Sequence, residues 1–354
     1  MNALVRRQDH RADALAEAGA TVFVGDFLEP EDLRHAMADA HRAYFLAPWA
    51  PNQLHGAINF AVAAADARLE VVVAITQWLA QPQHPSVATR QSYLTDRVFD
   101  WIPGVDSIRV NPGWFADNYM AVLGTVAQLG IFPYALGLGR AAPVSNEDIA
   151  RVVVGALVNP APHVGKYYRP SGPELLDPHQ LAAIFEKVLG RSVAYQNMSP
   201  RMFNKALKVS GIGPLQISQL QHYLEEYRRG GFAAGAPNDV VQRVGGSAPE
   251  DFETITRRYV AANPMTRPSL SNKLRAIAEF GRIVLTRTPN ISAYERRQNH
   301  PLLKDPKYGL DYGPWRRTHA VSNAYGLEGV FNQGHLLSSH EGTTGSQSSM
   351  EAGG

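Results

Sequence analysis

Helical apolar stripes and short apolar runs alternate along the first third of the chain. Asn2 to Val5 reads as a short strand running into Arg6-Arg7. A stripe follows at Ala12, Leu15, Ala16 and Ala18, and Gly19 stops it. Thr21 to Val24 is the next strand and ends in Gly25-Asp26, the spacing of a β–α–β unit. Pro30 opens a helix with Leu33, Ala36, Met37 and Ala40 on one face. Ala43 to Ala47 predicts a strand closed by Pro48-Trp49-Ala50-Pro51, whose prolines forbid regular structure. Leu54, Ile58, Ala61, Val62 and Ala65 form another helical stripe. Val71 to Ile75 is unbroken apolar sequence, as in a strand buried on both faces, and ends in Thr76-Gln77. Residues 79–87 read as a loop and 88–102 as a helix that Pro103-Gly104 breaks. Val105 to Val110 is a further strand before Asn111-Pro112-Gly113. The whole predicts an α/β fold with a Rossmann-like parallel sheet.

After Gly113 the alternation loosens, and caps mark the helices. Ser145-Asn146-Glu147-Asp148 precedes an apolar run, and Asp177-Pro178-His179-Gln180 carries a cap, a proline at the first position and a glutamine at the third. Ser247-Ala248-Pro249-Glu250 follows the same logic. Lys166 to Tyr168 and Val193 to Tyr195 predict short strands. Gly137-Leu138-Gly139 reads as a turn. The expected organisation is a nucleotide-binding domain over 1–112 and a smaller, mostly helical substrate-side subdomain over 113–263. A basic extension over 264–340 and a disordered tail over 341–354 complete it. Between residues 265 and 320 there are eleven Lys/Arg against four Asp/Glu, and Leu270 to Leu285 predicts one amphipathic basic helix. A solvated arm packed on the body is the plainer reading; an oligomer contact or an anionic surface is the other. The tail EGTTGSQSSMEAGG has almost nothing to bury.

Composition narrows the classes. A net charge of +2 is too mild to argue for nucleic acid. The absence of cysteine excludes disulfides and thiolate chemistry, and the twelve histidines show no metal-ligand spacing. No apolar run has the roughly 20 residues of a membrane span. The N-terminus lacks the apolar core of a signal peptide, so the default is a soluble cytoplasmic protein.

The candidate chemistry sits where strands end. A nucleotide fold's second strand usually ends in a residue that reads the adenosine ribose. Arg6-Arg7 stands there. Guanidinium pairs bidentately with phosphate, which favours NADP over NAD; the bland reading is a basic surface turn. No strand and no G-x-G-x-x-G loop precede residue 1. In the strand order 3-2-1-4-5-6 the missing strand would lie between the second and fourth, so the chain must close that gap or leave two open edges, and the expectation is a true start upstream.

Five segments, ALVRR, GATVFVGDFLEPEDLRHAM, AYFLAPWAP, VVVAITQ and RVNPGWFADNY, together resemble the NmrA-like group of atypical short-chain dehydrogenases. GLGRAAPVSNEDIA and GKYYRPSGPELLDPHQLAAIFEKVLGR resemble that family's C-terminal part. The likeness covers about residues 1–260 and implies an NAD(P)-binding Rossmann fold. By this resemblance Arg6 and Arg7 match the 2′-phosphate contacts, and Asp26 and Phe27 the adenine side. Ala47 and Pro48 match the segment over the cofactor, and Thr76 and Gln77 the nicotinamide side. Asn111, Pro112 and Gly113 match the turn after the sixth strand. Trp114, Phe115, Asn118 and Tyr119 are expected where the substrate pocket opens.

Classical members of the superfamily use Tyr-x-x-x-Lys for proton transfer. Tyr93 and Arg97 stand at that spacing, and i, i+4 positions share a helix face. Arginine stays charged and cannot relay a proton, so Tyr93 is a weak catalytic candidate against an aromatic that simply packs. His84, a lone loop histidine, reads as solvated. Three functions stay open: an NADPH-dependent reductase of a small carbonyl or quinone, an NADP-sensing regulator that binds a partner protein, and a truncated inactive product.

Overall fold

The computed structural model describes residues 1–320; the tail expected over 341–354 lies outside the described residues. The strands are β1 (Asn2–Val5), β2 (Thr21–Val24), β3 (Arg42–Leu46), β4 (Val71–Ile75), β5 (Asp106–Val110), β6 (Ile131–Tyr134), β7 (Tyr167–Tyr168) and β8 (Ala194–Asn197). Every ladder between them is parallel. β3-β4-β5-β7 form one sheet, β1-β2 a second and β6-β8 a third. No ladder among the described residues joins β1 to β3. The gap falls where the usual strand order places its first strand.

The central strand explains the layering. All five residues of β4 are buried. Val71, Val73 and Ile75 pack with Ile149, Val152 and Val153 of the helix Asn146–Val158. Val72 and Ala74 point the other way, into Phe45, Phe60 and Phe99. Phe60 and Phe99 belong to the helices Gln53–Asp66 and Val87–Asp100, so helices cover both faces. Each buried Val or Ile contributes about 1.5–3 kcal/mol relative to an exposed one. β1 and β2, short and beside the gap, have no fully buried residue.

The more helical part after β5 has its own core, built on Trp114, Tyr119, Phe132, Tyr134, Phe185, Tyr227 and Phe252. Its helix Pro178–Leu189 begins with the expected capping box: the Asp177 carboxylate accepts from Gln180 N–H, and the Gln180 side chain accepts from Asp177 N–H. Ser145 caps the helix Asn146–Val158 as expected. The cap expected at Ser247 is displaced. The helix is Phe252–Ala262, and Asp251 caps it by accepting from Thr254 N–H. Ser247 is engaged instead by Arg151, whose guanidinium donates to its Oγ.

The extension begins with the predicted helix, Leu270–Leu285, which leaves Leu274 and Leu285 exposed. After the helix Ile291–Gln298 the chain turns back across the loop 79–87. Lys307 N–H donates to Gln83 O at 2.8 Å, and Gln81 Nε2 donates to Lys307 O at 2.6 Å. The helix Gly313–Ala320 then buries Trp315 and His319 against Trp78. The last part of the arm is therefore packed on the body. No helix among the described residues is long and apolar enough to cross a membrane.

Candidate functional site

Parallel strands deliver their last residues to one edge, where open α/β sheets bind ligands. Here Thr76 and Gln77 leave β4 beside Asn111, which leaves β5. Asn111 Nδ2 donates to Thr76 Oγ1 and, at 3.1 Å, to Gln77 O. Thr76 Oγ1 donates onward to the Asp96 carboxylate at 2.9 Å. Asp96 is buried, and Arg109 of β5, only 1% exposed, lies 3.6 Å from it. Burial pushes the Asp96 carboxyl up to about 6, while the Arg109 charge and the Thr76 hydrogen bond hold it down. The side-chain oxygens Gln77 Oε1 and Asn111 Oδ1 are buried and have no hydrogen-bond partner among the described residues. Two idle acceptors at this edge fit the donor –NH₂ of a carboxamide, the polar group of a nicotinamide.

Gln77 and Asn111 line a cavity of about 290 Å³ whose walls include Trp78, Tyr93, Arg97 and Tyr312. Tyr93 and Arg97 are thus brought together at it, with the guanidinium carbon 5.7 Å from the ring centroid. Arg97 is engaged by Asp100 at 2.7 Å and by the Tyr167 hydroxyl. A second cavity of about 380 Å³ opens beyond β3, between Trp49, Pro51 and Gln91 on one side and Gln216 and His300 on the other. Residues of the extension wall both cavities.

The other expected site residues are dispersed. Arg6 and Arg7 are exposed at the end of β1 and form no ion pair among the described residues. Asp26 serves its own turn, accepting from Leu28 N–H at 3.0 Å. Phe27 lies over Gly56 so closely that a Cβ there would come within 1.7 Å of its ring. Ala47 and Pro48 follow β3; Pro112 and Gly113 are buried behind Asn111, and Gly113 N–H donates to Pro170 O at 3.0 Å. Trp114 and Tyr119 line neither cavity. They are core residues, Trp114 4.9 Å from the Tyr227 ring and Tyr119 bonded through its hydroxyl to that of Tyr227 at 2.7 Å. Phe115 packs against the β4 core and Asn118 is exposed.

His84 corrects a second expectation. It is fully buried rather than solvated. Its Nδ1 accepts from Ser86 N–H at 3.0 Å, so its Nε2 carries the proton and donates to Glu226 at 3.1 Å. Sequence reading missed Glu226, 142 positions away, and also Asp96 and Arg109. Arg109 alone left a sign, a charge within the otherwise buried stretch of β5.

Burial lowers the pKa of His84, of His222 (to about 4) and of His319. Each is neutral in the fold and titrates normally once unfolded, so its stability is complete above about pH 6.5 and is lost as pH falls. Asp96, raised to about 6, acts oppositely: its contribution is lost as pH rises through about 6. The buried histidines outnumber Asp96, so the unfolded chain binds more protons near pH 5 and stability there should rise with pH. Urea midpoints should be clearly lower at pH 5 than at pH 7; equal midpoints would contradict these protonation states.

The parallel α/β fold is of the Rossmann-like class. Residues 1–160 match the family described as NAD(P)H-binding. The chain is 26% identical over 261 residues to an NAD(P)H azoreductase of Xenophilus azovorans, covering 72% of this chain and 88% of that protein. The NADPH-dependent quinone oxidoreductase QOR2 of Escherichia coli, solved with NADPH, superposes with a TM-score of 0.64 at 23% identity, over 72% of this chain and 88% of that one. The transcriptional regulator NmrA, solved with NADP, superposes with a TM-score of 0.59 at 16% identity, over 72% and 85%. Residues 1–160 thus carry an NAD(P)-binding match, and the chain has the fold of oxidoreductase-like NAD(P)-binding proteins.

Proposed function

We propose that the chain is an NADPH-dependent reductase of a small carbonyl or quinone compound. The observation that carries this reading is the pair of unpartnered amide oxygens, Gln77 Oε1 and Asn111 Oδ1, beside an aromatic-walled cavity at the carboxyl edge. A regulator that only senses the cofactor has no need of such a cavity. The relatives named as azoreductase and quinone oxidoreductase support the same class. Arg6 and Arg7 would hold the 2′-phosphate, and Gln77 and Asn111 would take the carboxamide. The nicotinamide, when bound, supplies the hydride. The chain's part is to orient the substrate and deliver a proton. Tyr93 stands on the cavity wall beside Arg97 and is the proton donor of this reading.

The test is NADPH oxidation with a panel of benzoquinones, naphthoquinones and azo compounds. At least one should be turned over. Tyr93→Phe should lower kcat about 10–100-fold with a smaller change in KM, as expected for a proton donor. NADPH binding without oxidation by any member would reject the reductase reading in favour of a sensor. An unchanged kcat in Tyr93→Phe would reject only the role of Tyr93.

A further inference from the structure

Arg169 follows β7 and is buried, only 7% exposed. A guanidinium offers five N–H donors and stays charged in the fold. Among the described residues those of Arg169 meet only Thr318: Nη1 donates to its carbonyl at 3.3 Å and Nη2 reaches its Oγ1 at 3.5 Å. Its Nε has no partner among the described residues. Buried charges are ordinarily paired, because the desolvation they suffer is otherwise uncompensated. Yet no carboxylate among the described residues forms an ion pair with Arg169. The nearby acids are engaged elsewhere. Asp96 holds Arg109 and Thr76, and Asp100 holds Arg97 and Arg109. The two carboxylates thus face three buried or half-buried guanidiniums, a surplus of positive charge. Burial pulls Arg169 down to about 10, although the nearby Asp96 charge acts to raise it.

The surplus lies where a ligand can reach it. Arg169 lines the 290 Å³ cavity that Gln77 and Asn111 also line, and the exposed Arg317 lies on the same wall. Around it stand Trp78, Tyr93, Tyr312 and Trp315. Flat aromatic faces accept a ring, and a guanidinium fork matches a planar carboxylate bidentately. We propose that this cavity takes a small aromatic carboxylate, its carboxylate paired with Arg169 and its ring against the aromatic wall. On the reductase reading, on which the word substrate rests, the substrate then carries an anionic group apart from its reducible carbonyl. Tyr312, Trp315 and Arg317 belong to the C-terminal extension, so the extension would help set which substrates are accepted.

The test measures binding to the full chain by calorimetry, without cofactor, using benzoate, benzenesulfonate and the neutral isostere benzamide. Benzoate should bind at least 10-fold more tightly than benzamide. It should also exceed benzenesulfonate, whose tetrahedral head fits the fork less well. Arg169→Gln should weaken benzoate at least 10-fold and leave benzamide unchanged. The Tm of Arg169→Gln without ligand should equal or exceed that of the native chain, because an unpaired buried charge has gone. Equal binding of benzoate and benzamide would overturn the proposal. So would a Tm lowered by several degrees in Arg169→Gln, which would make the arginine structural. Displacement of benzoate by NADPH in simple competition would overturn it too, assigning the charge to the cofactor's phosphates. Since no turnover is read, a failure here leaves the reductase reading standing, and a failure of that reading leaves this one measurable.

Discussion

Replacing Arg6 and Arg7 together by serine is expected to raise the Kd for NADPH about 100-fold, with little change for NADH. Each guanidinium-to-phosphate hydrogen bond contributes about 1.5–3 kcal/mol where it is sheltered, and less where solvent screens it. Both side chains are exposed, so about 2.7 kcal/mol for the pair, or 100-fold, is the scale expected. Neither is tied up in an ion pair among the described residues, which leaves both for a ligand. The Asp26 carboxylate, expected on the adenine side, is occupied in its own turn with Leu28 N–H. The comparison of NADPH with NADH isolates the phosphate, because the two cofactors share everything else. Equal losses for both cofactors would mean that the arginines shape the site without reading the phosphate.

Glu226→Ala should cost about 2–6 kcal/mol of stability, because it strands the buried donors that the carboxylate satisfies. Glu226 is fully buried on the helix Pro214–Arg229. Its Oε1 accepts from His84 Nε2 in the loop after β4 and from Gly309 N–H in the extension. One carboxylate therefore ties three separate parts of the chain together. Its loss leaves two buried donors unsatisfied, and each such donor costs about 1–3 kcal/mol. Glu226→Gln keeps an acceptor oxygen and should cost about 1–2 kcal/mol. Thermal unfolding of the two variants measures the difference. Near-native Tm for Glu226→Ala would show that the extension is not anchored through this contact.

Local pattern made the sheet and most helices legible. β4 could be read because a strand buried on both faces must be continuously apolar. The helix Pro178–Leu189 could be read because its cap is written in four adjacent residues. Strand order left open whether β1 and β3 would meet, and no ladder joins them among the described residues. Ser247 misled because a cap motif does not say whether its hydroxyl is already engaged, and Arg151, from a distant helix, engages it. Trp114 and Tyr119 were expected at a pocket, yet aromatic identity does not distinguish wall from core. The decision lay with Tyr227 and Phe252, more than 100 positions away. His84 looked solvated because its partner Glu226 is likewise remote. The charged network beneath the cavity, Asp96 with Arg109, and the return of residues 307–318 over the site are products of tertiary folding that no local spacing encodes.

The most direct test of the cofactor assignment is equilibrium titration of the full chain with NADPH and with NADH, followed by quenching of its tryptophan fluorescence. The account predicts saturable binding of NADPH, at least 10-fold tighter than that of NADH. Folded protein that binds neither cofactor would contradict it.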